Sequence, residues 1–362
     1  MPVHVGQVLT DTGWRSARMV IEAGRIAALE PMPPLSGPLI IPGFVDLHCH
    51  GGGGADVMDG GDAVVTVART HARFGTTALL ATTMTAPVEE IETALRGVRA
   101  HQATPPDAAA VLGVHLEGPF ISGTRLGAQP NFPLSADLHL MQRFCDLAEI
   151  RVATVAPEAD PDGALARFLR ARSIRVQLGH SSCDYETAAA LLCDDLDGVT
   201  HLFNAMTPLH HRAPGIAGAA LAHAQHAEFI PDLVHVHPGA IHAALRAIPR
   251  AYAVTDGTAA SGMPDGDYHL GRQTVRKCQD SVRLSDGTLA GSCLTMHGAF
   301  RNLVSIGLSI EEASRRTSTI AADYLGIRDR GRLCAGAWAD YIVLDQDIKI
   351  ADVVLRGASV NK

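Results

Sequence analysis

His48 and His50, Glu117, His180, His201 and Asp256 are the side chains in this sequence best suited to holding a metal ion or moving a proton. Each sits at the end of a short apolar run: Gly43 to His50, Val111 to Glu117, Val176 to His180, Gly198 to His201, and Tyr252 to Asp256. Imidazole nitrogens and carboxylate oxygens suit Zn²⁺ or a neighbouring transition metal without choosing among them. A bound divalent ion lowers the pKa of water towards about 7 and polarises a carbonyl oxygen. A carboxylate beside that water can take its proton and return it to a leaving group. The chemistry so assembled is hydrolysis of an amide, an ester or a related bond.

Residues from 48 to 256 meet only if a fold collects the ends of these runs. Short apolar runs separated by helix-like stretches read as buried parallel strands. A closed α/β barrel gathers the C-terminal strand ends on one face, where the active site lies. Strand candidates end near His50, Thr83, Glu117, Pro157, His180, Asn204, His237 and Asp256, and the stretches 62–74, 88–101, 161–172 and 184–192 carry helical spacing. The expected fold is α/β: a (β/α)8 TIM-like catalytic barrel over residues 41–327. Residues 1–40 and 328–362 are expected to join as a small β-sandwich domain. Its pieces are a hairpin turning at Ala23-Gly24 and strand-like runs at 339–345 and 350–355. Pro31 to Pro38 fits a crossing between the two units. The Gly- and Asp-rich stretch from Met263 to Asp286 reads as a loop or hairpin over the site.

The bulk numbers narrow the partners. The chain has 362 residues, 47% of them hydrophobic, enough for a large barrel and a smaller unit. A formal charge of -8 with no block of Lys or Arg argues against a nucleic-acid or anionic-membrane surface. The short basic spot His210-His211-Arg212 suits a small anion instead. The first residues lack the charged start and apolar core of a signal peptide, and no apolar stretch reaches membrane-helix length. Seven cysteines without a Cys-x-x-Cys pair suggest reduced thiols and a cytoplasmic address.

On a strand, His48 and His50 share one face, close enough for a single ion, and Gly51 to Gly54 let the backbone turn tightly beside it. Those glycines lack the Lys-Ser/Thr of a P-loop, which excludes a phosphate cradle. Cys49 points the other way and is expected to be a packed core residue. His115 shares a face with Glu117, as a further ligand or a core histidine. Taken singly, each histidine has a bland reading as a satisfied core residue and Glu117 as half of an ion pair; their joint occurrence at strand ends favours a metal centre.

At this point the chain resembles the amidohydrolase superfamily and, within it, the N-acetylglucosamine-6-phosphate deacetylases. The likeness rests on Pro42 to Gly51, His115-Leu116-Glu117-Gly118-Pro119-Phe120, Gly179-His180-Ser181, His201-Leu202-Phe203-Asn204-Ala205-Met206, Arg212-Ala213-Pro214-Gly215 and Val254-Thr255-Asp256-Gly257. The resemblance implies that Glu117, His180 and His201 hold the better-occupied ion. It also implies that His48 and His50 add a second, with Glu117 bridging, so one or two divalent ions are expected per subunit: Zn foremost, or Fe, Mn, Co or Ni. Asp256 would be the general base and then the general acid. Asn204, the Ala205 backbone, Arg212 and His235 would bind a phosphate, the arginine coming from the partner subunit of a homodimer.

One departure stands out. The family carries a histidine in a Gly-Ala-His block, whereas this chain has Gly127-Ala128-Gln129. Gln129 can hydrogen-bond a substrate but cannot become a cation. The implied reaction is conversion of a phosphorylated amino sugar, N-acetylglucosamine 6-phosphate, to glucosamine 6-phosphate and acetate. The alternatives are another N-acyl amino sugar, such as N-acetylgalactosamine 6-phosphate or an unphosphorylated sugar, and a binding protein that has lost catalysis.

Overall fold

The computed structural model describes residues 4–34, 36–103 and 105–360. Met1 to Val3, at the start of the predicted terminal unit, and Leu35 in the predicted linker lie outside the described residues. Eight strands form one sheet of parallel neighbours: Phe44–Cys49, Thr76–Thr83, Ala110–Glu117, Ile150–Val155, Arg175–Leu178, Gly198–Val199, His226–Phe229 and Arg250–Ala253. Thr76–Thr83 is buried at every position, as expected of a strand covered on both faces. The circle closes where His50 and Gly51 donate backbone N–H groups to the Gly257 carbonyl and Asp256 donates to that of His48. A helix follows every strand, and each turns an apolar stripe inward. Ala63–Arg73, for example, buries Val64, Val65, Val67, Ala68 and Ala72. The predicted TIM-like (β/α)8 barrel is the fold observed.

Two strand ends differ from expectation. The sixth strand stops at Val199, and His201 to Asn204 form a turn beyond it. The seventh ends at Phe229, not near His237. The apolar Leu233-Val234-His235-Val236 mimics a strand, but the Asp232 carboxylate accepts the backbone N–H groups of Val234 and His235 and curls the segment into a loop. His237 instead caps the helix Pro238–Ala247, accepting from Gly239 N.

A second sheet takes strands from both ends of the chain, in the order Ala358–Ser359, Ile350–Leu355, Tyr341–Leu344, Leu39–Pro42, Val5–Thr10, Gly13–Glu22 and Arg25–Pro31. It fits the small β-sandwich expected of the termini. Leu39–Pro42 spans the predicted boundary at residue 40 and runs straight on into the first barrel strand. Phe44 and Phe300 (ring centroids 5.6 Å apart) share a buried cluster with Ile41, Ile342 and Leu344, so the two units pack as one core. The stretch 263–286 contains a three-stranded antiparallel meander, Gly266–Leu270, Gln273–Cys278 and Ser281–Arg283. It packs against Met84, Ala260 and Ala290 beside the barrel mouth.

Phe300 lies in the helix Met296–Ser305 and is fully buried. Truncating an aromatic ring in such a site removes its burial and leaves a cavity, at about 3–5 kcal/mol. Phe300→Ala should lower unfolding free energy in urea by that amount while leaving turnover unchanged at permissive temperature. A loss below about 1 kcal/mol would show that the two units do not depend on this contact.

Candidate functional site

The strand ends deliver the expected residues to one point. His48 lies on the first strand and His50 just after it, Glu117 ends the third, and His180, His201 and Asp256 each follow a strand by two or three residues. All six are buried, none more than 8% exposed. His180, His201 and Asp256 have φ of 46°, 27° and 49°. Left-handed backbone at non-glycine residues is uncommon and strained, and here it turns three functional side chains inward directly after their strands. Gly179 allows the fifth strand to come this close, since a Cβ there would lie 2.6 Å from Thr154 Cγ2 and 2.8 Å from Thr200 Cβ.

Glu117 divides its carboxylate between two groups of imidazoles. Its Oε1 lies 3.0 Å from His180 Nε2 and 2.9 Å from His201 Nε2, and those nitrogens are 3.1 Å apart. Its Oε2 lies 3.2 Å from His50 Nε2 and 3.5 Å from His48 Nε2, which are 3.2 Å apart. Asp256 Oδ1 completes the second group, 3.2 Å from His50 Nε2 and 3.6 Å from His48 Nε2. Ligands about 2.1 Å from one tetrahedral ion stand about 3.4 Å from each other, which these spacings approach.

Proton placement is a sharper test of fit. His180 Nδ1 faces the Arg125 carbonyl at 2.8 Å, His50 Nδ1 faces the Thr82 carbonyl at 3.2 Å, and His48 Nδ1 faces Glu228 Oε2 at 2.9 Å. Each acceptor holds a proton on Nδ1 and leaves Nε2 with a bare lone pair directed inward. Bare nitrogens facing one another and a carboxylate fit a shared cation. His201 Nδ1 has no hydrogen-bond partner.

Without a cation, charge in the site is balanced by protons. Burial opposes ionisation of Asp256, but the neighbouring His48 and His50 hold its carboxyl down to about 2. Burial likewise opposes the His50 cation, yet hydrogen bonds to Asp256 and Glu117 lift it to about 9. Glu117 is held well below the usual carboxylate range, burial being outweighed by His48 and His180.

A cavity of about 260 Å³ opens above these groups, lined by Gln129, Asn204, Ala205 and His235 together with apolar Met84, Leu270 and Leu289. His235 Nδ1 lies 2.6 Å from Asp232 Oδ2. That bond, opposing the effect of burial, raises the imidazole and favours its cation. Gln129 is 5% exposed; its Oε1 accepts from Thr85 N at 2.7 Å and its Nε2 donates to Glu117 Oε2 at 2.6 Å. Arg212 is not part of the lining. It is exposed, with Nη1 2.7 Å from His211 Nε2. Cys49 and His115 take structural contacts: Cys49 Sγ with His71 Nε2 at 3.3 Å, and His115 with the Leu47 carbonyl at 3.0 Å and Thr154 Oγ1 at 2.8 Å.

A larger groove of about 570 Å³ is lined by Arg151, Arg170, Arg172 and Arg175. Arg151 and Arg175 donate there to the Leu325 and Tyr324 carbonyls at a helix end, so the groove is separate from the chemistry. Sequence reasoning missed Glu228. The signal was present, an acid set between Ala227 and Phe229-Ile230 in a short β-prone run.

Comparison with known proteins agrees with this geometry. The amidohydrolase family pattern matches residues 39–360. An N-acetylglucosamine-6-phosphate deacetylase of Lysinibacillus sphaericus is 36% identical over 89% of this chain and 85% of its own. An N-acetylgalactosamine-6-phosphate deacetylase of Escherichia coli O157:H7 is 35% identical over 97% of each chain. The structure of a Mycobacterium smegmatis N-acetyl-D-glucosamine-6-phosphate deacetylase variant in complex with N-acetyl-D-glucosamine-6-phosphate superposes with a TM-score of 0.90, at 32% identity and 98% coverage of both chains.

The proton balance makes a prediction. His50 is raised from 6.5 to about 9, so its stabilisation of the metal-free fold is complete below pH 6.5 and lost as pH rises through 9. Asp256 is lowered from 3.8 to about 2, so its stabilisation is complete above pH 3.8 and lost as pH falls through 2. A cation needs the His50 nitrogen bare, so Zn²⁺ uptake at pH 7 should release about one proton or more. Calorimetric titration in buffers of different ionisation enthalpy reads this directly. Uptake without proton release would mean that His50 is neutral beforehand.

Proposed function

The chain belongs to the amidohydrolase family, and on that premise we propose that it is a metal-dependent hydrolase removing the acetyl group of N-acetylglucosamine 6-phosphate. The products are glucosamine 6-phosphate and acetate. The observation that carries the reading is one cavity whose lining joins His50, Glu117, His180, His201 and Asp256 with the polar side chains of Asn204 and His235 and with Ala205.

We assign His48, His50, Glu117, His180 and His201 as the ligands of two divalent ions, with Zn foremost. When bound, such ions lower the pKa of water and polarise the scissile carbonyl. Asp256 stands at the cavity wall with its Oδ1 facing His50. It takes a proton from the water that adds to the acetamide carbon, and gives one to the amine as the C–N bond breaks. Its low pKa keeps it unprotonated at neutral pH, as a base must be.

In the same cavity, the His235 imidazole, whose pKa is raised by Asp232 against the effect of burial, the Asn204 amide and the Ala205 N–H bind the phosphate. Gln129 has one N–H left beyond its bond to Glu117 for the sugar or the acyl group. Arg212 is exposed beside Leu209, itself 56% exposed. These features support a homodimer in which the arginine reaches the cavity of the partner and forks onto its phosphate. Seven unpaired cysteines support a cytoplasmic setting.

The reading is tested by kcat/KM of metal-replete protein on the phosphorylated and unphosphorylated sugars. A preference for phosphate of about a hundredfold or more, worth about 2.7 kcal/mol of transition-state binding, is expected. Arg212→Ala should remove much of it. Equal rates on both sugars would discard the phosphate receptor. Because a galactosamine enzyme is 35% identical, both C4 epimers belong in the same assay. Asp256→Asn should lower kcat by about 10²–10⁴-fold, and unchanged turnover would remove Asp256 from its role.

A further inference from the structure

Glu228 lies on the seventh barrel strand with no exposed surface, behind the site rather than in its cavity. Its Oε2 is 2.9 Å from His48 Nδ1. Its Oε1 accepts from Gln177 Nε2 at 3.1 Å and from Tyr252 OH at 3.3 Å. Both of those donors are neutral. Among the described residues the other basic groups acting on it are histidines: His201, which makes no contact with it, and His115, whose Nδ1 is 3.8 Å from Oε1 and is engaged with the Leu47 carbonyl at 3.0 Å. No Lys or Arg forms a salt bridge with Glu228, Glu117 or Asp256 among the described residues.

A fully buried carboxylate without a fixed cation is expensive to keep. Gln would fill the same space and preserve a hydrogen bond to His48, so shape alone does not require an acid. What the acid adds is charge, delivered through one imidazole. Glu117, Asp256 and Glu228 together carry three negative charges, so with the imidazoles neutral, as ligands must be, a single divalent cation leaves them under-neutralised. His180 and His201 have no such support: His180 Nδ1 faces a backbone carbonyl and His201 Nδ1 faces no partner. The extra charge is therefore hydrogen-bonded to one half of the centre, through His48, and reaches His201 only at a distance.

We infer that Glu228 is a positioning residue that selects a second divalent cation at the His48–His50 half of the centre, by orienting His48 and adding negative charge behind it. It touches neither the cation nor the substrate. The inference rests on the metal-site assignment above and deepens it. Carboxylates in this relation to a ligating histidine typically set metal affinity by about 10–100-fold.

The test is calorimetric titration of the metal-stripped full-length protein with Zn²⁺, alongside Glu228→Gln, Glu228→Asp and His48→Asn. Wild type should take two equivalents. Glu228→Gln should keep one at unchanged affinity and bind the other about 10–100-fold more weakly, with Glu228→Asp in between. Glu228→Gln and His48→Asn should be non-additive on that weakened equivalent. Melting of the metal-stripped variants identifies any that fail to fold, and the milder Glu228→Asp then carries the comparison. Equal weakening of both equivalents would make Glu228 a general structural residue and overturn the inference. So would two unchanged equivalents in Glu228→Gln, or a wild type that binds a single ion. A wild type that binds no Zn²⁺ would instead overturn the metal-site assignment itself.

Discussion

Bare imidazole nitrogens and carboxylate oxygens held 2.9–3.5 Å apart in a buried pocket form the constraint on which the other features of this protein depend. Such atoms repel unless positive charge sits among them, whether protons or a metal ion. The surroundings fix the single proton of a neutral imidazole on the outer nitrogen, so that the inner one is free for a cation or takes a second proton in its place. Three Nδ1 atoms are committed to the Thr82 and Arg125 carbonyls and to Glu228. Each of those acceptors comes from a different part of the barrel face, so the centre exists only in the closed fold.

The barrel supplies this closure at a measurable local strain. Left-handed backbone at His180, His201 and Asp256 is of the kind worth about 1–3 kcal/mol per residue. It persists because the flanking bonds over-determine it. Asp256 N is fixed on the His48 carbonyl, and Gly257 O receives both His50 and Gly51. Asp46 secures the same seam, accepting from Thr255 Oγ1 at 2.6 Å and from the Thr255 and His48 backbones. The seam that closes the barrel therefore also sets the Asp256 carboxylate against the His-x-His pair.

Much of this was legible in the residues, for a physical reason. A parallel strand buried on both faces is an apolar run, and a ligand at its end interrupts that run at a fixed place, as at Glu117. The meander at 266–283 was half legible: its glycines marked turns, but its packing on Met84 is a tertiary matter. The seventh strand was misread because Leu233 to Val236 has β-forming composition, and only the Asp232 side chain bends it away. That error hid Glu228, which lies on the true strand. Arg212 shows another limit, since its side chain is exposed and outside the cavity lining, which motif and periodicity did not reveal.

Gln129 shows how a departure from family pattern acts through structure. The resemblance leads one to expect a histidine, and its replacement by a side chain that cannot become a cation bears on which sugar or acyl group is taken. Yet Oε1 is taken by the Thr85 N–H and Nε2 holds Glu117 Oε2, so the side chain first serves the Glu117 carboxylate. An imidazole bonded in the same place could turn a bare nitrogen or a charged N–H toward Glu117, whereas the amide always presents a neutral donor. Gln129 thus places no proton-dependent group beside Glu117. Asn204 and His235 line the same cavity, with Met84, Leu270 and Leu289 supplying apolar wall. Charge and cavity shape are separable here because different segments carry them: the strand ends fix the buried imidazoles and carboxylates, and the loops beyond them line the rest of the cavity.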